Sequence, residues 1–92
     1  MITSFKHKGL EKFYLTGNKS GIQAAHAPKL ANILARLDSA EVINDMNIPG
    51  WRLHQLQGNL KNHWAVHVSA NWRITFKLTN GEAKIIDYQD YH

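Results

Sequence analysis

The hydrophobic positions of this chain change their spacing near its midpoint. In the first half they recur at helical intervals. Leu10, Phe13 and Tyr14 stand at i, i+3 and i+4, so they share one face of a short helix. Gly17 is placed to stop it, and the run TGNKSG reads as a loop. Leu30, Ile33, Leu34 and Leu37 repeat at i, i+3, i+4 and i+7, which predicts a second helix from about Ala24 to Ser39. Pro28 falls in its first turn, where a missing N–H breaks no helical bond. Lys29, Asn32 and Arg36 fall on its other faces. Asp38, with Glu41 three residues later, is spaced to cap a short third helix through Met46, and Pro49-Gly50 breaks the pattern. Ile2 to Phe5 is a short strand candidate.

The second half alternates. Between Asn62 and Ser69, Trp64, Val66 and Val68 fall on one face, with His63, Ala65 and His67 on the other. Between Asn71 and Thr79, Trp72, Ile74, Phe76 and Leu78 face a core, while Asn71, Arg73, Thr75 and Lys77 face away. Asn80-Gly81 is a strong two-residue hairpin signal, and a strand from about Glu82 to Tyr88 follows it. Arg52 to Leu56 is the first strand of this half, ended by Gly58-Asn59. Helices followed by an antiparallel meander predict an α+β fold: N-terminal helices packed on one face of an antiparallel sheet, with the other face wet.

Composition narrows the function. Ninety-two residues predict a single domain, 1–92. The absence of cysteine excludes disulfide scaffolds, cysteine-ligated zinc and thiol nucleophiles, and suits a reducing cytoplasm. No apolar run is long enough for a membrane span, and MITSFKHKG lacks the apolar stretch of a secretory signal. Eleven Lys and Arg against seven Asp and Glu point toward a polyanionic partner. Six histidines raise the question of a metal. His63 and His67 have chelating spacing on a helix, but on a strand four residues span roughly 13 Å, too far for one ion. No metal and no cofactor are expected.

The wet face carries the candidate chemistry. Arg52, His54 and Leu56 share a face on the strand period, as do Asn71 and Arg73, and the chain closes on Gln89-Asp90-Tyr91-His92. Histidines, an arginine and a carboxylate converging there suit RNA cleavage. One group takes the proton of a ribose 2′-OH, another protonates the leaving 5′-oxygen, and a cation stabilises the phosphoryl oxygens. Histidine titrates near neutrality, arginine forks onto phosphate, and tyrosine offers a face to an unstacked base. The same residues equally describe an ordinary solvated sheet face, with Arg73 beside Trp72 as a cation–π or salt-bridge partner and the tryptophans packing. Periodicity leaves both readings open.

The segments ITSFKHKGL at Ile2–Leu10, RLHQLQG at Arg52–Gly58, SANWRITF at Ser69–Phe76 and NGEAKIIDYQDYH at Asn80–His92 resemble the HigB branch of the RelE/ParE toxin superfamily over essentially the whole chain. The resemblance implies a RelE-like, microbial-RNase-like fold. It implies the toxin of a type II toxin–antitoxin system: a ribosome-dependent, metal-independent endoribonuclease that cuts mRNA in the ribosomal A site. The implied partners are the 70S ribosome, mRNA and a HigA-like helix-turn-helix antitoxin, through which alone operator DNA is reached. Carried over by position, His54, Arg73, Asp90, Tyr91 and His92 are the catalytic set, and Arg52, Gln57 and Asn71 contact RNA. Of the histidines, only His54 and His92 are expected to be chemical. Gln57 stands where such toxins often carry a lysine; it can donate to a phosphate but adds no charge. A non-enzymatic gyrase inhibitor of the ParE type and a plain nucleic-acid-binding module are the competing functions.

Overall fold

The computed structural model describes residues 1–91. Helix α1 spans Lys8–Thr16 and α2 spans Ala27–Ser39. The predicted stripe Leu30, Ile33, Leu34 and Leu37 is the buried face of α2, and Leu10 is the buried residue of α1. His7 caps α1 by accepting the Leu10 N–H at Nδ1, 2.9 Å away. Gly17 ends it at φ 81°, a left-handed conformation that favours a residue without Cβ. Residues Ala24–His26, expected to open the second helix, form a 3₁₀ turn instead. Pro28 has no N–H to give the Ala24 carbonyl at i+4, so Ala27 supplies a tighter i+3 bond.

The third helix shrinks to a 3₁₀ turn, Ile43–Met46. Its cap is not Asp38. The Asp45 carboxylate reaches back to the Glu41 and Val42 N–H groups at 3.0 and 3.2 Å. Those bonds hold the Asp45 carboxyl below its usual range. Asp38 accepts the Ile2 N–H instead, at 3.0 Å.

Four strands follow: β1, His54–Gln55; β2, Trp64–Ser69; β3, Trp72–Thr79; and β4, Glu82–Asp90. They form one antiparallel sheet in the order β1-β2-β3-β4. The β3–β4 hairpin turns on Asn80-Gly81, both at positive φ, as the dipeptide predicts. The first strand of the half is much shorter than expected. Arg52 sits at φ 51°, outside any strand conformation, so Arg52 and His54 are not on one regular period. Leu56 is nearly buried whereas His54 is exposed.

Ile2 and Phe5 do not form a strand of their own. They make isolated parallel bridges to Ala83 and Ile86. The segment covers the outer edge of β4, which would otherwise present an open row of backbone groups. The core lies between this sheet and the helices: Leu10, Leu30, Ile33, Leu34 and Leu37 against Val66, Val68, Ile74, Phe76, Ala83, Ile86 and Tyr88. At the far side of α1, Gly9 and Gly21 nearly touch. A Cβ on Gly9 would lie 2.5 Å from the Gly21 carbonyl oxygen.

One irregularity decides which side chains face away from the helices. Thr75 pairs with Asp87, but Lys77 pairs with Lys84, so β4 carries extra chain opposite Phe76. Ile85, at φ 54°, is the bulged residue, and its N–H bonds the Ser4 hydroxyl at 2.9 Å. Below the bulge Ala83 faces the core; above it the phase shifts and Ile86 and Tyr88 do. Asp87, Gln89 and Tyr91 thereby come to the face that bears Arg73.

Candidate functional site

A cleft of about 260 Å³ opens on that face, lined by Arg52, His54, His67, Ala70, Asn71, Trp72, Arg73 and Tyr91. Four stretches of chain build it. The 52–54 segment supplies Arg52 and His54, and β2 supplies His67. The Ala70-Asn71 turn and β3 supply Asn71 and Arg73, and Tyr91 follows β4.

Cross-strand register sets the floor: His67 stands opposite Arg73, and Arg73 opposite Gln89. The His67 N–H also bonds the Trp51 carbonyl at 2.7 Å, tying the Arg52 segment to β2. A second row, His54–Ala65–Thr75–Asp87, runs beside it. Ala65 and Thr75, expected on the wet face, are on it yet buried. Their short side chains lie between longer ones in the same row.

Arg73 is held from two directions. Its Nε and Nη2 donate to Gln89 Oε1 at 3.4 and 3.3 Å, and Gln89 Nε2 donates in turn to Asp87 Oδ2 at 2.9 Å. The guanidinium carbon lies 4.0 Å from the centre of the Tyr91 ring, a cation–π contact. The Tyr91 N–H is fixed to the Asn71 carbonyl at 2.7 Å. Arg73 has five N–H groups, so the Nη1 pair and the second Nη2 hydrogen remain for an anion in the cleft. The aromatic ring under Arg73 is Tyr91 and not Trp72, because neighbouring strand residues face opposite sides.

His54 is exposed and its Nδ1 lies 2.8 Å from the Arg52 carbonyl. A carbonyl only accepts, so Nδ1 carries the proton of this bond. The set of such donors, acceptors and cations can bind a phosphodiester and move protons beside it.

Not every sequence-predicted residue gathers here. Gln57 is exposed ahead of a 3₁₀ turn, Gly58–Leu60, and does not line the cleft. Asp90 pairs with Trp72 and, by strand alternation, shares the face of Trp72 and Tyr88 rather than that of Arg73. Its charge acts on Tyr88, whose hydroxyl is pushed up chiefly by burial, partly offset by the Gln23 N–H, and further raised by Asp90. The Tyr88 hydroxyl also meets His26 Nδ1 at 2.6 Å, and its ring stacks on Trp72 with centroids 4.4 Å apart. His92, expected as a catalytic residue, lies outside the described residues.

Sequence reasoning did not place His67 with these residues. Expected to be a surface or packing histidine, it is half-buried in the cleft. The signal was present: alternation put it on the face of Arg73, and the short turn between the two strands brings the pair into register. Among the described residues, no three His, Asp or Glu side chains are grouped to hold a metal ion. Among the same residues, no helix is long and apolar enough to cross a membrane.

The family described as the RelE-like toxin of type II toxin–antitoxin system HigB matches residues 3–92. The chain is 42% identical over 92 residues to Endoribonuclease HigB of Proteus vulgaris, covering all of both chains. It is 34% identical over 94 residues to Toxin HigB-1 of Vibrio cholerae serotype O1, covering all of this chain and 98% of that one. Two solved structures share the fold. The YoeB–YefM complex from Staphylococcus aureus matches with a TM-score of 0.64 at 19% identity, over 100% of this chain and 95% of that one. YafQ from E. coli matches with a TM-score of 0.59 at 15% identity, over 98% and 91%.

Proposed function

This chain belongs to the HigB-like, RelE-like toxins of type II toxin–antitoxin systems, and on that premise we propose that it is an endoribonuclease whose cleft cuts mRNA in the ribosomal A site. As the toxin of such a system it has an antitoxin partner. The observation that carries the reading is the Arg73 guanidinium. It is clamped by Gln89 and Tyr91, with unspent donors, in a cleft shared with Arg52 and His54.

In the proposed reaction the ribose 2′-oxygen attacks the adjacent phosphorus. The 2′-O–P bond forms, the P–O5′ bond breaks, and the products are a 2′,3′-cyclic phosphate and a 5′-OH. Arg73 stabilises the charge that develops on the non-bridging oxygens, its orientation set in advance by Gln89. Arg52 and Asn71 hold the flanking RNA, and Tyr91 offers its outer ring face to a base. By resemblance to the family His54, Asp90 and His92 are assigned the acid–base chemistry, with Asp90 carried on the Trp72 face of the sheet end. Gln57, outside the cleft, would meet RNA only beyond the cut. The scheme requires no metal. The reading further takes 1–92 as one catalytic domain working in the cytoplasm, with operator DNA contacted only by the antitoxin complex.

Primer extension on mRNA with purified 70S ribosomes tests this. A discrete, ribosome-dependent cut in the A-site codon is expected. Uncut mRNA together with inhibited gyrase supercoiling would replace the nuclease with the gyrase-poison reading.

A further inference from the structure

The proposed reaction leaves His67 without a role, although it lines the cleft. Its surroundings are unusual for a histidine. Arg73 lies directly across the β2–β3 pair. Arg52 and His54 come from the segment at β1, Tyr91 from the end of β4, and the Lys29 charge reaches it from α2. Its backbone is pinned to Trp51, so it cannot swing away with a mobile loop. Among the described residues, the charged groups acting on it are thus cations, and its ring is half-withdrawn from water.

That arrangement has two states. In the empty cleft, an imidazolium would add another positive charge beside Arg52 and Arg73. Burial first, then Arg52 and Lys29, hold the ring below the ordinary histidine value of 6.5. A phosphodiester brings a negative charge into the same space and reverses the local field. The imidazolium then gains a counter-ion and a hydrogen-bond acceptor, a charge-assisted pairing stronger than a neutral one.

We propose that His67 belongs to the phosphate-binding surface of the cleft, and that it takes up a proton as a phosphodiester settles between it, Arg52 and Arg73. The inference deepens the nuclease reading by naming how the cleft holds its substrate. The proton comes from solvent, and no covalent bond changes. The sign follows from linkage. A group protonated more readily in the complex makes affinity rise as pH falls through the interval between its free and bound values. Each unit between those values is worth tenfold in affinity. His67 is a positioning and binding group in this scheme, distinct from the groups that transfer protons to the ribose or the leaving oxygen.

The probe is a four-nucleotide RNA carrying 2′-O-methyl ribose at every position, which cannot be cut by 2′-oxygen attack. Calorimetric titration at pH 6 in two buffers of different ionisation enthalpy reads the protons taken up per complex. The parent is expected to take up a fraction of a proton, and His67→Gln measurably less. Affinity of the parent should rise about tenfold between pH 8 and pH 5.5, and that of His67→Gln by twofold or less. The His67 Cε1–H resonance in the unsubstituted protein gives a second reading that needs no variant to fold. Its titration midpoint should move up by a unit or more when the probe is added.

An unmoved midpoint, or equal proton uptake in His67→Gln and parent, overturns the proposal. Should the probe not bind, inorganic phosphate is titrated in the same way, and an unmoved midpoint with both overturns it equally. The two readings fail separately. Ribosomes left uncut while His67 still shifts would remove the nuclease and keep the anion site.

Discussion

Removing the Arg73 side chain is the sharpest test of how the cleft works. In Arg73→Ala the three guanidinium N–H groups left over from Gln89 disappear, together with the cation over Tyr91. Loss of one preorganised donor to a developing oxyanion costs about 2.7–4 kcal/mol, or 10²–10³ in rate. Arg73→Lys separates charge from geometry. It keeps the positive charge, but one ammonium cannot lie flat on Tyr91, bond Gln89 and fork onto a phosphate together. It should fall between parent and alanine, roughly tenfold down. The fold should survive both changes. The side chain is only half-buried. Its removal deletes a cation–π interaction of about 0.5–1 kcal/mol and hydrogen bonds of about 1 kcal/mol net. The assay is single-turnover primer extension with saturating ribosomes, alongside a urea unfolding curve for each variant. Cleavage by Arg73→Ala within threefold of the parent would refute the assignment. A loss that tracks only the unfolded fraction would refute it equally.

Three further outcomes follow from the same geometry. Gln89→Leu should lower kcat about tenfold with KM little changed, because the guanidinium loses its orientation but not its charge; steady-state kinetics on programmed ribosomes decide. Gly9→Ala should destabilise the protein although it sits in α1, where alanine is otherwise favoured by about 1 kcal/mol. The added Cβ meets the Gly21 backbone at 2.5–2.9 Å, an overpacking of about 1–3 kcal/mol, so a lower urea midpoint is expected. Asp45 has a folded-state carboxyl below its ordinary 3.8, so its stabilising effect is present above that value and is lost as pH falls through the folded one. Unfolding curves of Asp45→Asn and parent should therefore differ at neutral pH and converge in acid.

The parts of the fold that were legible were those written as unbroken periods or as single-residue chemistry. The stripe Leu30-Ile33-Leu34-Leu37 marked the face of α2, and Asn80-Gly81 marked a hairpin whose backbone demands positive φ. The short β1 was not legible, since Arg52-Leu53-His54 alternates like a strand while Arg52 adopts a left-handed conformation. The 3₁₀ turn at Ala24–His26 depended on a donor that Pro28 lacks, a bond-level effect that periodicity does not register. For the site, Arg52, His54, Asn71, Arg73 and Tyr91 came together as expected. Asp90 did not, because alternation from the buried Tyr88 carries it to the other face. His67 alternates with the core residues of β2 just as His63 does, and only the tight turn after Ser69 sets it opposite Arg73. The adjacent pair Ile85-Ile86 is the trace that the β4 bulge leaves in the sequence: two large apolar residues side by side, where one phase ends and the other begins.

The bulge at Ile85 also decides where this strand can change in length. A substitution in β4 alters one side chain. Removing Ile85 itself takes out the extra residue: Ile86 would stand opposite Phe76, while Asp87 and Gln89 kept their places opposite Thr75 and Arg73. Removing Asp87 with the bulge left in place would instead carry Gln89 and Tyr91 to the core face and Tyr88 and Asp90 to the other. The cleft would then lose Tyr91 and the Gln89 brace of Arg73, and the core would lose Tyr88. The same loss of one residue is therefore silent at Ile85 and disruptive two positions later.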